Sequence, residues 1–362
     1  MHTVFDLPHY PVHVGDIASS LPRWLQQQRY SAVWVLTDEN THAQCWPLFR
    51  EKTGLEQAQV FAIPAGEGHK NLTTCEQLWA AWLHARLDRG ALVINLGGGV
   101  VGDLGGFCAA TWKRGVDFLQ VPTTLLAMTD AAIGGKLGID FQGVKNTLGV
   151  FRDPAAVFVD TDWLHTLPER ELRSGLAEVM KHALIGDPEL LGVIEDSQNL
   201  VQRDDVPPAF WHHLLCASIA VKAHIVAQDP QERGLRQLLN YGHTIGHAVE
   251  SYSLQTPFPL THGEAVALGM ICESWLARTR IPEGHNRLAR TLGVVSRSFL
   301  HRPVPRQAFP EIWAFMQQDK KNAAAQVRAA VPNGQPFGME VLTLQEQDVY
   351  DSLRFYNELE AS

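Results

Sequence analysis

The chain has 362 residues, 45% of them hydrophobic and 19% charged, and a formal net charge of -9. That length exceeds one ordinary hydrophobic core and predicts two domains of a soluble globular protein. The acidic balance, without any run of Lys or Arg, excludes a nucleic-acid partner, and five irregularly spaced cysteines without a C-x-x-C exclude a disulfide framework and a thiolate zinc site.

The first residues, MHTVFDLPHY, lack the basic start and apolar run of a signal peptide. The apolar run around Ala91–Val101 is short and broken by glycine, so no membrane span is expected and a reducing cytoplasm fits. Short runs rich in Val, Ile, Leu and Phe predict buried strands at 31–38, 59–66, 91–99, 116–124 and 155–162. Helical patterns lie between them, the clearest over 73–90 with a glycine stop. This alternation predicts an α/β N-terminal domain, 1–165, with a Rossmann-like, mostly parallel sheet. From about Leu164 the periodicity turns helical and strand patterns nearly vanish, which predicts a mainly α-helical C-terminal domain, 166–362. No Pro/Ser-rich linker marks the join, so the active site is expected in a cleft between the two parts.

The stretch NLGGGVVGD, 95–103, follows a strand pattern and opens a helix. Gly97, Gly99 and Gly102 match G-x-G-x-x-G, where glycines allow a tight turn and a close approach to a diphosphate. A turn needed only for packing is the alternative. Asp117 sits inside the next strand, so Asp38, at the end of the first clear strand, is the better ribose partner.

Residues 129–146, TDAAIGGKLGIDFQGVKN, read as a long, polar, glycine-rich functional loop holding Asp130, Lys136, Lys145 and Asn146. Its lysines suit a phosphate or carboxylate, and a solvated loop is the plainer reading.

In LLNYGHTIGHAVE, 238–250, His243 and His247 stand four residues apart. That spacing places both on one helix face, which fits a metal pair or a polar stripe equally. H-E-x-x-H is absent, because Thr244 follows His243. Glu178 lies on a helix among apolar neighbours, and His262 precedes another helix. Glu178, His243 and His262 together offer a zinc ion three N/O ligands and an open position.

The blocks LGGGVVGDLGGF, VPTTLLAMTDAAIGGK, KNTLG, LPERELRSGLAEVMKHALI, LRQLLNYGHTIGHAVE, HGEAVALGM and QDKKN resemble the 3-dehydroquinate synthase family of sugar phosphate cyclases, in the family's order, over about residues 30 to 325. The resemblance implies NAD and one divalent metal, zinc first and cobalt as an alternative. It implies conversion of 3-deoxy-D-arabino-heptulosonate 7-phosphate to 3-dehydroquinate and phosphate, in the shikimate pathway of aromatic amino acid biosynthesis.

Carried onto this chain, the metal ligands are Glu178, His243 and His262, while His247 lies beside the substrate and serves proton transfer. Substrate contacts are Arg114, Asp130, Lys136, Asn146, Lys181, Lys222, Arg236, Asn240 and Lys320, the last favoured over Lys321. Of these, Lys136, Lys181 and Asn240 join His247 as catalytic residues. Arg114 comes from the partner subunit, which implies a homodimer. NAD lies on Gly98, Gly99, Val100 and Asp103, with Asp38, Asn40, Glu67, Lys70, Thr123, Thr124, Lys145 and Thr166 around it.

The loop reads GIDFQGVKN where many members have N-x-P-x-G-K-N, and AAVPNG stands where a more apolar final strand is expected. A sedoheptulose 7-phosphate cyclase and a metal- and NAD-dependent polyol or glycerol phosphate dehydrogenase are the alternative enzymes. A degenerate relative that only binds nucleotide or metal is the non-enzyme alternative.

Overall fold

The computed structural model describes residues 1–142, 144–197, 206–318 and 326–359. They fall into two compact units, Met1–Pro168 with Pro207–Ala223, and Glu169–Val206 with His224–Ser362.

The first unit is built on a seven-stranded sheet. Strands β1 (His2–Asp6) and β2 (Pro11–Gly15) form an antiparallel edge hairpin. Strands β3 (Val33–Asp38), β4 (Gln59–Ile63), β5 (Leu92–Gly97), β6 (Asp117–Pro122) and β9 (Ala156–Val159) complete it in parallel, in the order β1-β2-β9-β6-β5-β3-β4. Central β5 and β9 are buried along their whole length, which is why their sequences read as unbroken apolar runs rather than alternating ones. Helices α1 (Ile17–Gln26), α2 (Glu39–Gln44), α3 (Trp46–Thr53), α4 (Leu72–His84) and α5 (Gly99–Thr111) connect the strands. Leu78 and Trp82 of α4 and Leu104 and Cys108 of α5 join Leu36, Val93 and Phe118 in one core.

Residues 129–146 are not the long loop that their polarity predicts. A π-helical turn, Ala127–Ala131, leads into an antiparallel hairpin, β7 (Lys136–Phe141) with β8 (Val144–Phe151). The hairpin forms because Leu137, Ile139, Leu148 and Val150 pack on the same core, and Gly106 of α5 leaves room for Leu137 where a Cβ would meet it at 2.4 Å. The pairing shifts register between Ile139 and Phe141, a bulge that re-aims Asp140.

The second unit is helical: α6 (Glu169–Gly186), α7 (Pro188–Asp196), the last residues of α8 (Pro208–Gln228), α9 (His243–Ser253), α10 (His262–Ala277), α11 (Gly284–Ser298), α12 (Phe309–Gln318) and α13 (Glu346–Glu358). It also carries a two-stranded pair, β10 (Val327–Pro332) with β11 (Met339–Leu344), a small exception in a mainly helical unit. Its centre is the crossing of α9 on α10. Those helices come so close that a Cβ on Gly269 would stand 1.9 Å from the Gly242 carbonyl oxygen. Helix α8 is long and apolar enough to cross a membrane by length and composition, and half of its most apolar stretch is buried.

Candidate active site

In the first unit, β5 ends at Gly97, Gly98 caps the next helix without a side chain, and α5 starts at Gly99. A Cβ on Gly97 would meet Val101 at 2.6 Å, and one on Gly98 would meet Thr124 at 3.0 Å. The turn therefore requires glycine, and it leaves the first N–H groups of α5 beside a small surface hollow lined by Gly97, Gly98, Gly99, Gly102 and Gln120. N–H donors at a glycine-lined helix start are the groups that an anion can take. Val100 is half-buried on the first turn of α5, and the Thr123 N–H donates to the Gly97 carbonyl at 3.0 Å. The Thr124 hydroxyl accepts from the Ala127 N–H at 3.1 Å.

Asp38 ends β3, which neighbours β5, and its carboxylate caps α2 by accepting from the Thr41 N–H at 2.7 Å. Asn40 is exposed one residue inside that helix. Thr166 donates to the Trp163 carbonyl at 2.7 Å.

Lys70 gathers the remaining residues of this group. Its buried ammonium lies 3.1 Å from Glu67 Oε1 and 3.2 Å from Asp103 Oδ2, and donates to Asn146 Oδ1 at 2.7 Å. Burial opposes its charge, but Asp103, Glu67 and Asp140 outweigh burial and hold its pKa above the usual lysine value. Burial pushes the Asp103 carboxyl up to about 6, against the pull of Lys70. Asn146, expected at the substrate, is thus tied to a lysine expected at the nucleotide. Asp140 completes the tie: its N–H donates to the Lys70 carbonyl at 2.7 Å, and its Oδ1 accepts from the Asn146 N–H at 2.8 Å. Asp140 belongs to no motif of the chain, and the polar GIDFQG stretch is its only signal in the sequence.

Asp130 lies in the π-helical turn, and the Lys222 ammonium donates to its carbonyl at 2.5 Å and contacts its carboxylate. Lys136 opens β7 exposed, and Lys145 is half-buried on β8. Arg114 is exposed beyond α5 with φ +70, after Lys113 at +47. Two consecutive non-glycine residues in the left-handed region mark strain of the kind that functional sites retain.

In the second unit, Glu178 of α6, His243 of α9 and His262 of α10 converge. Glu178 Oε1 lies 3.4 Å from His243 Nε2 and 3.6 Å from His262 Nε2, with Glu178 buried. The buried Lys181, one turn along α6, contacts the Glu178 carboxylate. His243 Nδ1 faces the Tyr241 carbonyl at 3.1 Å, an acceptor only, so that nitrogen carries the hydrogen and Nε2 presents a lone pair. His262 Nδ1 lies 3.2 Å from Glu250 Oε2. Burial works against charge on His262, but the carboxylates of Glu178 and Glu250 prevail and hold its pKa up to about 10. Two imidazole Nε2 atoms around one carboxylate oxygen are a donor set that fits zinc or cobalt.

His247 stacks edge-on to His243 with ring centroids 4.9 Å apart, and one ligating atom each of His243, His247 and His262 lies within 4.8 Å of the others. The helical spacing therefore does place both histidines of 238–250 on one face. Helix α9 begins at His243, though, and Leu235–Asn240 form a 3-10 turn. On that turn Arg236 is buried and donates to the Pro230 carbonyl at 2.7 Å, while Asn240 donates to Glu232 at 2.6 Å. Asp229 anchors the segment by accepting from the N–H groups of Arg233, Gly234 and Arg236. Lys320 lies outside the described residues.

Glu273, too, lies outside the motifs that the sequence displays. Fully buried on α10, its carboxylate accepts from the Gly242 N–H at 2.7 Å and the Ile245 N–H at 3.1 Å. It caps the first turn of α9, where the N-cap Gly242 offers no side chain.

A family model described as 3-dehydroquinate synthase N-terminal matches residues 60–174, and one described as 3-dehydroquinate synthase C-terminal matches residues 175–322. The 3-dehydroquinate synthase of Parabacteroides distasonis is 34% identical over 343 residues, 95% of this chain and 96% of that protein. The chain belongs to the 3-dehydroquinate synthase family. A second 3-dehydroquinate synthase, of Halorhodospira halophila, is 41% identical over 331 residues, 88% of each protein. Among solved structures, the 2-epi-5-epi-valiolone synthase of Streptomyces hygroscopicus subsp. jinggangensis with NAD+ and Zn2+ bound superposes with a TM-score of 0.82 at 25% identity, over 98% of this chain and 99% of that one. The 3-dehydroquinate synthase family thus accounts for both halves of the chain, the parallel-sheet unit and the helical one.

Proposed function

We propose that this chain is a 3-dehydroquinate synthase, converting 3-deoxy-D-arabino-heptulosonate 7-phosphate to 3-dehydroquinate and phosphate in the shikimate pathway. The observation that carries the reading is the convergence of Glu178, His243 and His262, in a chain whose relatives of that name match most of its length. Bound NAD would supply a hydride acceptor that returns the hydride after phosphate has left, and a divalent metal, zinc first and cobalt as the alternative, would supply a Lewis acid that acidifies a substrate hydroxyl.

The chain's own residues bind and orient. The glycine turn at Gly98 and Gly99, Val100 and Asp103 take the nucleotide diphosphate. Asp38 and Asn40 stand at the end of β3, where an open parallel sheet places a ribose. Glu67, Lys70, Thr123, Thr124, Lys145 and Thr166 complete the nucleotide group. Lys222 with Asp130, and Lys136 with Asn146, hold one part of the anionic substrate. Lys181, Arg236, Asn240 and Lys320 hold the other. Fixing a flexible sugar phosphate in one geometry is the larger share of their work. The His247 imidazole moves a proton, and the leaving phosphate acts as its own base, so no strong protein base is needed. Ring opening and an intramolecular aldol closure finish the product.

We further propose that residues 1–165 form the nucleotide domain and 166–362 the metal and substrate domain, and that the enzyme is a homodimer in which Arg114 of one protomer serves its partner's substrate. The exposed, left-handed Arg114 supports the second point. A cytoplasmic location is supported by five free cysteines. The test is product identification after incubation with the heptulosonate phosphate and, separately, with sedoheptulose 7-phosphate. The reading requires 3-dehydroquinate from the first and no carbocycle from the second.

A further inference from the structure

We infer that Glu250 is a positioning residue of the metal site, setting the ring of His262 before any metal arrives. The inference rests on the metal reading proposed above. Glu250 lies on α9, three residues beyond His247, and is buried at 7% exposure. A buried carboxylate is costly unless something compensates it, so its place needs an explanation. Its Oε2 lies 3.2 Å from Nδ1 of His262. An ionised carboxylate only accepts, so Nδ1 keeps its hydrogen, and the proton that a metal displaces is the one on Nε2, which faces Glu178 Oε1 at 3.6 Å.

The backbone around His262 is fixed independently. Thr261 and Glu264 form a capping box at the start of α10, and the Gly263 N–H donates to the Ser174 hydroxyl at 3.0 Å. What remains free is rotation of the imidazole, and Glu250 removes it. The Tyr241 carbonyl does the same for His243. A main-chain acceptor and a side-chain acceptor thus select the same tautomer in both histidines, and only the second can be removed by substitution. Outer-shell partners of this kind fix ring orientation and raise ligand basicity.

The test uses full-length Glu250→Ala and Glu250→Gln, freed of metal, with zinc affinity measured by chelator competition and the visible spectrum recorded after cobalt loading. Glu250→Ala weakens zinc binding about 10- to 100-fold, and Glu250→Gln, which keeps an acceptor but loses the charge, about 5- to 10-fold. Both shift the cobalt spectrum, while the metal-free melting temperature of Glu250→Gln stays at the wild-type value. If Glu250→Ala does not fold, Glu250→Gln decides. Zinc affinity within twofold of wild type, with an unchanged spectrum, overturns the inference. If that happens while His262→Ala has lost its zinc, the metal reading stands and only the role of Glu250 falls. If the wild-type protein binds no zinc, both fall.

Discussion

Oε1 of Glu178 stands 3.4 Å from Nε2 of His243, although the two residues come from different helices. Only a ligand shared between them, or a protonated imidazole, makes that approach favourable in a buried setting. His243→Ala and His262→Ala are therefore expected to lose most bound zinc, since two remaining ligands rarely hold it. Metal analysis of the purified variants checks this. Full occupancy in both contradicts the assignment.

His247 shares the face but is expected to have a different role. His247→Asn should retain zinc and lower turnover by about 10²- to 10⁴-fold, the usual worth of a positioned proton-transfer group. Loss of zinc equal to that of His243→Ala would make His247 a ligand, consistent with its place within 4.8 Å of the other two imidazoles.

The α9–α10 crossing holds His243 and His262 together. A methyl group on Gly269 would stand 1.9 Å from the Gly242 carbonyl, which cannot yield without moving the first turn of α9. Gly269→Ala is expected to destabilise the fold by about 3 kcal/mol or more, read by urea unfolding. Wild-type stability would show that the crossing is looser than this geometry.

Asp103 gives a pH signature. Its carboxyl is raised from 3.8 to about 6, so the folded chain binds that proton more tightly than the unfolded chain. Its contribution to stability is complete below the unfolded value and is lost as pH rises through about 6. Relative to Asp103→Asn, the wild-type unfolding free energy should therefore fall between pH 4 and 7 by on the order of 2 kcal/mol. A rise over that interval would mean that Lys70, not burial, governs the group.

Much of this was legible because parallel strands buried on both faces write themselves as continuous apolar runs, as β5 and β9 do. The β7–β8 hairpin was not, because β8 is largely exposed and carries polar Lys145, Asn146 and Thr147 in its first half, Gly138 and Gly149 interrupt its strands, and its pairing slips at Asp140. Its formation depends on Leu137 finding Gly106, a contact no local pattern records. The site divides likewise. His243 and His247 announce themselves by spacing. Glu273 serves α9 from another helix, and its only trace is a helix start at Gly242 that lacks a capping side chain. Glu250 left a fainter one, three residues beyond His247 on the same helix.

An enzyme that expels phosphate and closes a ring has use for a nucleotide turn, a phosphate-handling set of lysines and a metal centre. A dehydrogenase has use for the first and third alone. The most direct measurement follows phosphate and reduced nicotinamide together after the heptulosonate phosphate is added to enzyme with zinc and a catalytic amount of NAD. Phosphate should appear in step with product over many turnovers, while reduced nicotinamide stays below the enzyme concentration. Reduced nicotinamide accumulating in proportion to substrate consumed, without phosphate, would contradict the account and place the chain's chemistry with the dehydrogenases.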